Sequence, residues 1–123
     1  MKCFVMDSAV ILNNFNFSFD ETVYFTTNEV LDEIIDLRSK QLVESGLKQS
    51  KIKIKQPSTK SVSAVKKAAK EIHVFHKLSE ADFSVLALAL ELKFPLLSDD
   101  YRVQKVCLKL GLEFDSVFRE KME

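Results

Sequence analysis

The sequence predicts a three-layer α/β/α fold: a mostly parallel sheet of four or five strands between helices, in one domain spanning residues 1–123. Three observations carry that expectation. The runs "CFVM" (residues 3–6) and "FPLL" (residues 94–97) are continuously apolar and short, as strands covered on both faces must be. Strand-like runs alternate with helix-like runs along the whole chain. A length of 123 residues at 46% hydrophobic content suits one core and is short for two ordinary ones.

Taken in order, "CFVM" is a buried strand, "SAVILNN" a short helix and "TVYFT" a second strand. "TNEVLDEIIDLRSKQLVES" then reads as one long helix with Val30, Leu31, Ile34, Ile35 and Leu37 on its apolar side. Thr26 and Glu29 fit a capping box at its start, and Gly46 fits the left-handed position past its end. "KIKIKQP" alternates like an edge strand. Residues 58–73 place Val62, Val65, Ala69 and Ile72 at helical spacing. "SEADFSVLALALELK" is apolar on almost every face, so it predicts a buried helix. After "FPLLS", "DYRVQKVCLKL" is a last helix stopped by Gly111, and "LEFD" is a final short strand. No internal repeat, low-complexity segment or linker interrupts this series.

Composition excludes several classes. No apolar run approaches the roughly 20 residues that cross a bilayer, and Asp7 breaks "MKCFVMDSAVIL" before it can act as a signal-peptide core. Cys3 and Cys107 stand alone in apolar stretches without zinc-ligand spacing, which points to small buried hydrophobes and to the reducing cytosol. The expectation is a cytoplasmic protein with no membrane partner.

Zero net charge conceals segregation. Residues 1–47 carry three Lys or Arg against eight Asp or Glu; residues 48–77 carry nine Lys against Glu71 alone; residues 78–123 carry six against nine. A charge run by itself is most often a solvated face, but this basic block has a field that attracts polyanions.

In a parallel sheet the residue just past each strand lies at one carboxyl edge, the edge where α/β sheets bind ligands. Asp7 ends the first strand there, and Asp99 and Asp100 end a later one. Helices on either side place Glu33 and Asp82 near the same edge. At 100° per residue Glu33 falls about 40° from Leu37, whereas Asp32 and Asp36 lie farther around the polar side. Each acid has an ordinary alternative: Ser79 and Asp82 form an S-x-x-D capping box, Asp7 and Asp99 could cap helices, and Glu29, Asp32, Glu33 and Asp36 could be a wet helix face. His73 and His76 sit in the basic block, far from the acids, and suit a helix end better than a metal. Taken together, four or five carboxylates converging on one rim repel one another unless a hard cation such as Mg²⁺ or Mn²⁺ sits among them. Such an ion activates water and neutralises a leaving oxygen. An acidic rim beside a basic flank is the layout of a site that cuts a nucleic-acid backbone.

The phrases "FVMDSAVI", "TTNEVLDEIIDL", "LSEADFSVLALALEL" and "LLSDDYRVQ" resemble a PIN domain, a family of metal-dependent ribonucleases, from Phe4 to about Phe114. In that resemblance Asp7 matches the first-strand aspartate, Glu33 the helix glutamate, Asp82 the central aspartate, and Asp100 the aspartate of the Ser/Thr-x-Asp step Ser98, Asp99, Asp100. The wording is most similar to the ribosome-maturation branch, endonucleases that trim the 3′ end of small-subunit ribosomal RNA. That branch carries a cysteine-rich zinc ribbon after the PIN domain, and these 123 residues contain no such motif. The resemblance implies an endoribonuclease in which Asp7, Asp82 and Asp100 hold one or two Mg²⁺ or Mn²⁺ ions, Glu33 completes the shell or orients water, and Asp99 supports a second ion. Ser8 and Ser98 would orient these carboxylates. Lysines of the basic block, Lys60, Lys66, Lys67 and Lys70, would hold RNA, here pre-ribosomal RNA on the small subunit, through its phosphates. A toxin ribonuclease, a non-catalytic RNA-binding assembly factor and, last, a phosphoacceptor domain are the rivals. The last needs an acidic pair near the first strand and an aspartate after the third, where this chain has only Asp7 and Pro57. The sequence leaves open whether two molecules pair.

Overall fold

The structure, a computed structural model, describes residues 2–13 and 21–116. The strands β1 (Lys2–Met6), β2 (Thr22–Thr26), β3 (Ile52–Ile54), β4 (Leu96–Leu97) and β5 (Phe114–Asp115) form one sheet in the order β3-β2-β1-β4-β5. Every pairing among them is parallel, with Val5 opposite Phe25 on one side and Leu96 on the other. The expected sheet is therefore present at its upper strand count. β1 is central, and its last residues, Val5 and Met6, are wholly buried, as a strand covered on both faces requires.

Six helices connect the described strands: α1 (Ser8–Asn13), α2 (Asn28–Asp32), α3 (Leu37–Lys48), α4 (Thr59–Glu71), α5 (Glu80–Leu92) and α6 (Tyr101–Leu110). α4, α5 and α6 pack on one another, while α1 packs with α3, so two helical groups flank the sheet. The apolar helix of the sequence is α5, whose residues from Phe83 to Ala89 are all buried. It begins with the expected capping box: Asp82 N–H donates to Ser79 Oγ (3.1 Å) and Ser79 N–H donates to Asp82 Oδ2 (2.9 Å). Gly111 ends α6 at φ 72°, a conformation an L side chain disfavours. Cys107 is buried, Cys3 partly so, and burial pushes the Cys107 thiol up to about 12. No helix among the described residues is long and apolar enough to cross a membrane.

The long helix predicted from Thr27 onward is two helices. α2 ends after Asp32, and the chain leaves it through a tight turn in which Glu33 N–H and Ile34 N–H donate to the carbonyls of Val30 and Leu31. Asp36 then starts α3 as a new N-cap, accepting from Ser39 N–H at 2.9 Å, a bond that holds its carboxyl below the usual range. The break keeps Val30 and Ile34 in the core and turns Ile35 and Leu37 outward, at 80% and 71% exposure, against the single apolar side expected. Two further details differ. Thr26 belongs to β2 and donates to the Met6 carbonyl (3.1 Å), and the cap of α2 is Thr27, whose Oγ1 accepts from Val30 N–H. Gly46 lies buried inside α3, and Ser50 takes the left-handed turn beyond its end.

Candidate active site

Because all strands run the same way, Asp7, Thr27 and Ser98 emerge on one edge of the sheet from β1, β2 and β4. Asp7 is only 5% exposed. Its Oδ1 accepts from Val10 N–H at 3.2 Å, so the acid ends the strand and steadies the first turn of α1. Burial raises its carboxyl to about 6; a hydrogen bond from Ser98 and the one from Val10 oppose the rise, and the charges of Asp82 and Asp100 add to it. Ser98 is fully buried and does two tasks, since its Oγ also accepts from Asp100 N–H (3.2 Å).

Asp82 approaches from the first turn of α5. Its carboxyl is raised by burial, restrained by the two hydrogen bonds to Ser79, and raised again by Asp100 and Glu33. The capping explanation holds for this residue, and the cap also fixes the carboxylate where the charges of Asp100 and Glu33 reach it. Asp100 is the N-cap of α6, with Oδ1 accepting from Arg102 N–H at 2.8 Å, and the Arg102 guanidinium leans on the same carboxylate at 3.4 Å. Glu33 is exposed at the end of α2 and accepts from Ser8 Oγ at 2.7 Å. The charges of Asp82 and Asp100 thus reach Asp7, and those of Asp100 and Glu33 reach Asp82, so acids from four separated parts of the chain lie toward one edge, where Ser8 bonds Glu33 and Ser98 bonds Asp7.

Asp99 is held one strand over, where its Oδ1 accepts from Ser116 Oγ beyond β5. His73 lies past the end of α4 at φ 63°, and His76 meets Phe75 edge-on at 5.2 Å.

α4 runs antiparallel to α5, because Ser58 at its start bonds Glu91 near the end of α5 while Lys66 reaches Glu80 at the start (3.8 Å). This direction brings Lys66, Lys67 and Lys70 toward the end of α5 that carries Asp82 and leaves Lys60 at the far end. The Lys66 ammonium lies 5.4 Å from the Phe83 ring centre, and that of Lys70 lies 4.7 Å from Phe75. Such contacts orient the amines without neutralising them.

Sequence reasoning missed several supports. Gln104 Nε2 donates to the Ser98 carbonyl (2.9 Å) from a largely buried position, and Thr27 Oγ1 pairs with Ser84 Oγ (2.7 Å), tying the end of β2 to α5. Arg102 was legible only as a cation two residues after an acid. A polar residue on the buried stripe of a helix, as Gln104 and Ser84 are, is the signal that could have found the others.

No group of three or more His, Cys, Asp or Glu side chains among the described residues is gathered tightly enough to hold a metal in this arrangement. The donor set nevertheless fits a hard divalent cation. The candidate donors are all carboxylate oxygens, and Asp7 and Asp82 are both disfavoured as anions by burial and by nearby carboxylates, a penalty that a cation would remove.

A family profile described as the PIN domain of ribonuclease matches residues 4–92. Among curated proteins, the chain is 42% identical over 115 residues to the endoribonuclease Nob1 of Pyrococcus abyssi, covering 94% of this chain and 68% of that protein. It is 38% identical over 113 residues to Nob1 of Methanocaldococcus jannaschii, covering 92% of this chain and 55% of that one. Ribonuclease VapC3 of Aeropyrum pernix is 34% identical over 92 residues, 71% of this chain and 66% of its own length. The chain therefore spans between about half and two thirds of these relatives. In three dimensions it resembles the VapBC2 structure from Rickettsia felis, solved with a promoter DNA fragment, at TM-score 0.56 and 10% identity over 93% of this chain and 98% of that one; this likeness concerns the fold alone. By the profile and by the identity and reach of its archaeal relatives, the chain belongs to the PIN-domain ribonucleases and groups there with the Nob1 endoribonucleases.

Proposed function

We propose that the chain is a metal-dependent endoribonuclease that hydrolyses RNA phosphodiester bonds during maturation of small-subunit ribosomal RNA. The observation that carries the chemistry is the buried Asp7 at the end of β1, within reach of the charges of Asp82 and Asp100, with Glu33 held by Ser8 near Asp82. Asp7, Asp82 and Asp100 would hold one or two Mg²⁺ or Mn²⁺ ions, which supply an activated water and charge neutralisation at the leaving oxygen. Asp99, one strand over, would support a second ion.

The chain's own residues set the stage. Burial and the Ser98 and Val10 hydrogen bonds fix the Asp7 carboxylate, and the Ser79 cap fixes that of Asp82. Ser8 holds Glu33 where it can accept a proton from an attacking water or bind that water in place. Arg102, already on Asp100, is a cation at hand for a non-bridging phosphate oxygen. Lys66, Lys67 and Lys70 draw the RNA backbone toward the acids, with Lys60 extending the track, and such contacts confer affinity with little sequence choice. Two free thiols suit a cytoplasmic setting. The toxin reading shares these acids and draws on the VapC3 likeness, but the Nob1 proteins of Pyrococcus abyssi and Methanocaldococcus jannaschii match more of this chain at higher identity.

Asp7→Asn tests the assignment. The variant should lose Mn²⁺-stimulated cleavage of single-stranded RNA by at least ~10³-fold, in line with removal of a group that organises the transition state, while its far-UV circular dichroism stays that of the parent. Unchanged cleavage overturns the assignment.

A further inference from the structure

Tyr101 follows Asp100 directly and opens α6 at the acidic edge, yet the residue is 68% exposed and joins no core cluster. One helical turn on, the Lys105 ammonium sits 5.0 Å from the ring centre, so a cation steadies the aromatic plane while most of the side chain faces water. An exposed, orientated aromatic next to a phosphate-handling centre has a specific chemical use. Nucleobases stack on such planes whatever their identity, and a neighbouring lysine pairs with the adjoining phosphate.

We propose that Tyr101, with Lys105 on its ring, is a stacking platform for an unpaired nucleobase adjoining the phosphate that a cation bound by Asp7, Asp82 and Asp100 would hold. The inference rests on the nuclease reading and adds to it one contact, that of the ring with the unpaired base beside the cut, since a base inside a duplex is already stacked on its neighbours and has no face to offer. Lys105 shares the platform with the base, which takes the ring surface that faces solvent. Arg102, one residue on, completes a short aromatic and basic strip along the first turns of α6, separate from the lysines of α4.

Binding in metal-free buffer, where cleavage does not interfere, provides the test. The probe is a single-stranded oligoribonucleotide, compared with the same oligomer made abasic at successive positions. Tyr101→Ala should weaken binding of the intact oligomer about 5- to 150-fold, the range for one base on one ring, and Tyr101→Phe, which keeps the ring, should bind like the parent. At one abasic position the parent and Tyr101→Ala should bind alike. The salt dependence of binding should be unchanged in Tyr101→Ala, because stacking releases no counterions. Parental binding by Tyr101→Ala, equal damage from Tyr101→Phe, or failure of the parent to bind the oligomer each overturns the platform. A parent that binds but does not cleave when Mn²⁺ is added overturns the nuclease reading instead, and the Tyr101 comparison stands on binding alone.

Discussion

α4 and α5 are each thirteen residues long and lie antiparallel against one another, but they handle charge in opposite ways. α5 is buried from Phe83 to Ala89 and carries Asp82 at the mouth of the core, where partial desolvation and fixed hydrogen bonds make a charge act strongly over a short distance. α4 buries only Val65, Ala68 and Ala69 and spreads its lysines over a wet face, where screening by salt leaves each weak and the group effective at range. The difference teaches that one edge can hold charge in two ways, dry and fixed or wet and spread. Under the proposed function, chemistry would fall to the dry element and capture of a polyanion to the solvated one. Substitutions on α5 and the rim should therefore act steeply and singly, and those on α4 gradually and together.

The steepest structural break lies in α5 itself. Leu86 is wholly buried, and Leu86→Ala should cost about 2–5 kcal/mol of stability, read as a lower denaturant midpoint. A cost below 1 kcal/mol means that α5 is not the dry element described here.

Next comes Asp7. Its folded-state value of about 6 stands above the ordinary 3.8. Well below pH ~4 the group is neutral both folded and unfolded and costs nothing; between about 4 and 6 the unfolded chain ionises it while the folded protein keeps it neutral, so stability falls by up to about 3 kcal/mol and then levels off. Asp7→Asn should remove this slope and stabilise the metal-free protein at pH 7.5 by ~1–3 kcal/mol, and Mn²⁺ should raise the melting temperature of the parent alone. Denaturation at a series of pH values checks this, and parallel pH profiles for parent and variant contradict it.

The smallest effect sharpens the α4 side. Lys67→Ala should leave stability within ~0.5 kcal/mol and lower the slope of log affinity against log salt for single-stranded RNA by ~0.7. An effect on turnover at saturating RNA, rather than on this slope, would move Lys67 from the capture face into the chemistry.

Several features were legible because they depend on short-range pattern. Asp7 announced itself by interrupting an apolar strand, and a strand end in a parallel sheet has only one edge to occupy. The capping box of α5 and the glycine stop of α6 follow from backbone groups that local side chains alone can satisfy. Glu33 shows the limit. Helical projection pointed it inward from one continuous helix, whereas that helix ends after Asp32 and Glu33, as its C-cap, meets Ser8. Sequence periodicity could not see the break, since Asp36 and Ser39 form a cap only if the preceding turn has already released them. Asp99 and Asp100 are adjacent in sequence and chemically identical, and nothing local states that one turns to Ser116 and the other caps α6.

What the sequence by itself determined, then, is the alternation of strands and helices, the burial of α5 and the presence of acids at strand ends, all of which arise from hydrophobic periodicity and from backbone hydrogen bonds met within a few residues. Tertiary structure alone decided where the helix after β2 divides, which way α4 runs past α5, and which acids feel one another. Those outcomes depend on packing between segments tens of residues apart and on electrostatic forces that act through space rather than along the chain.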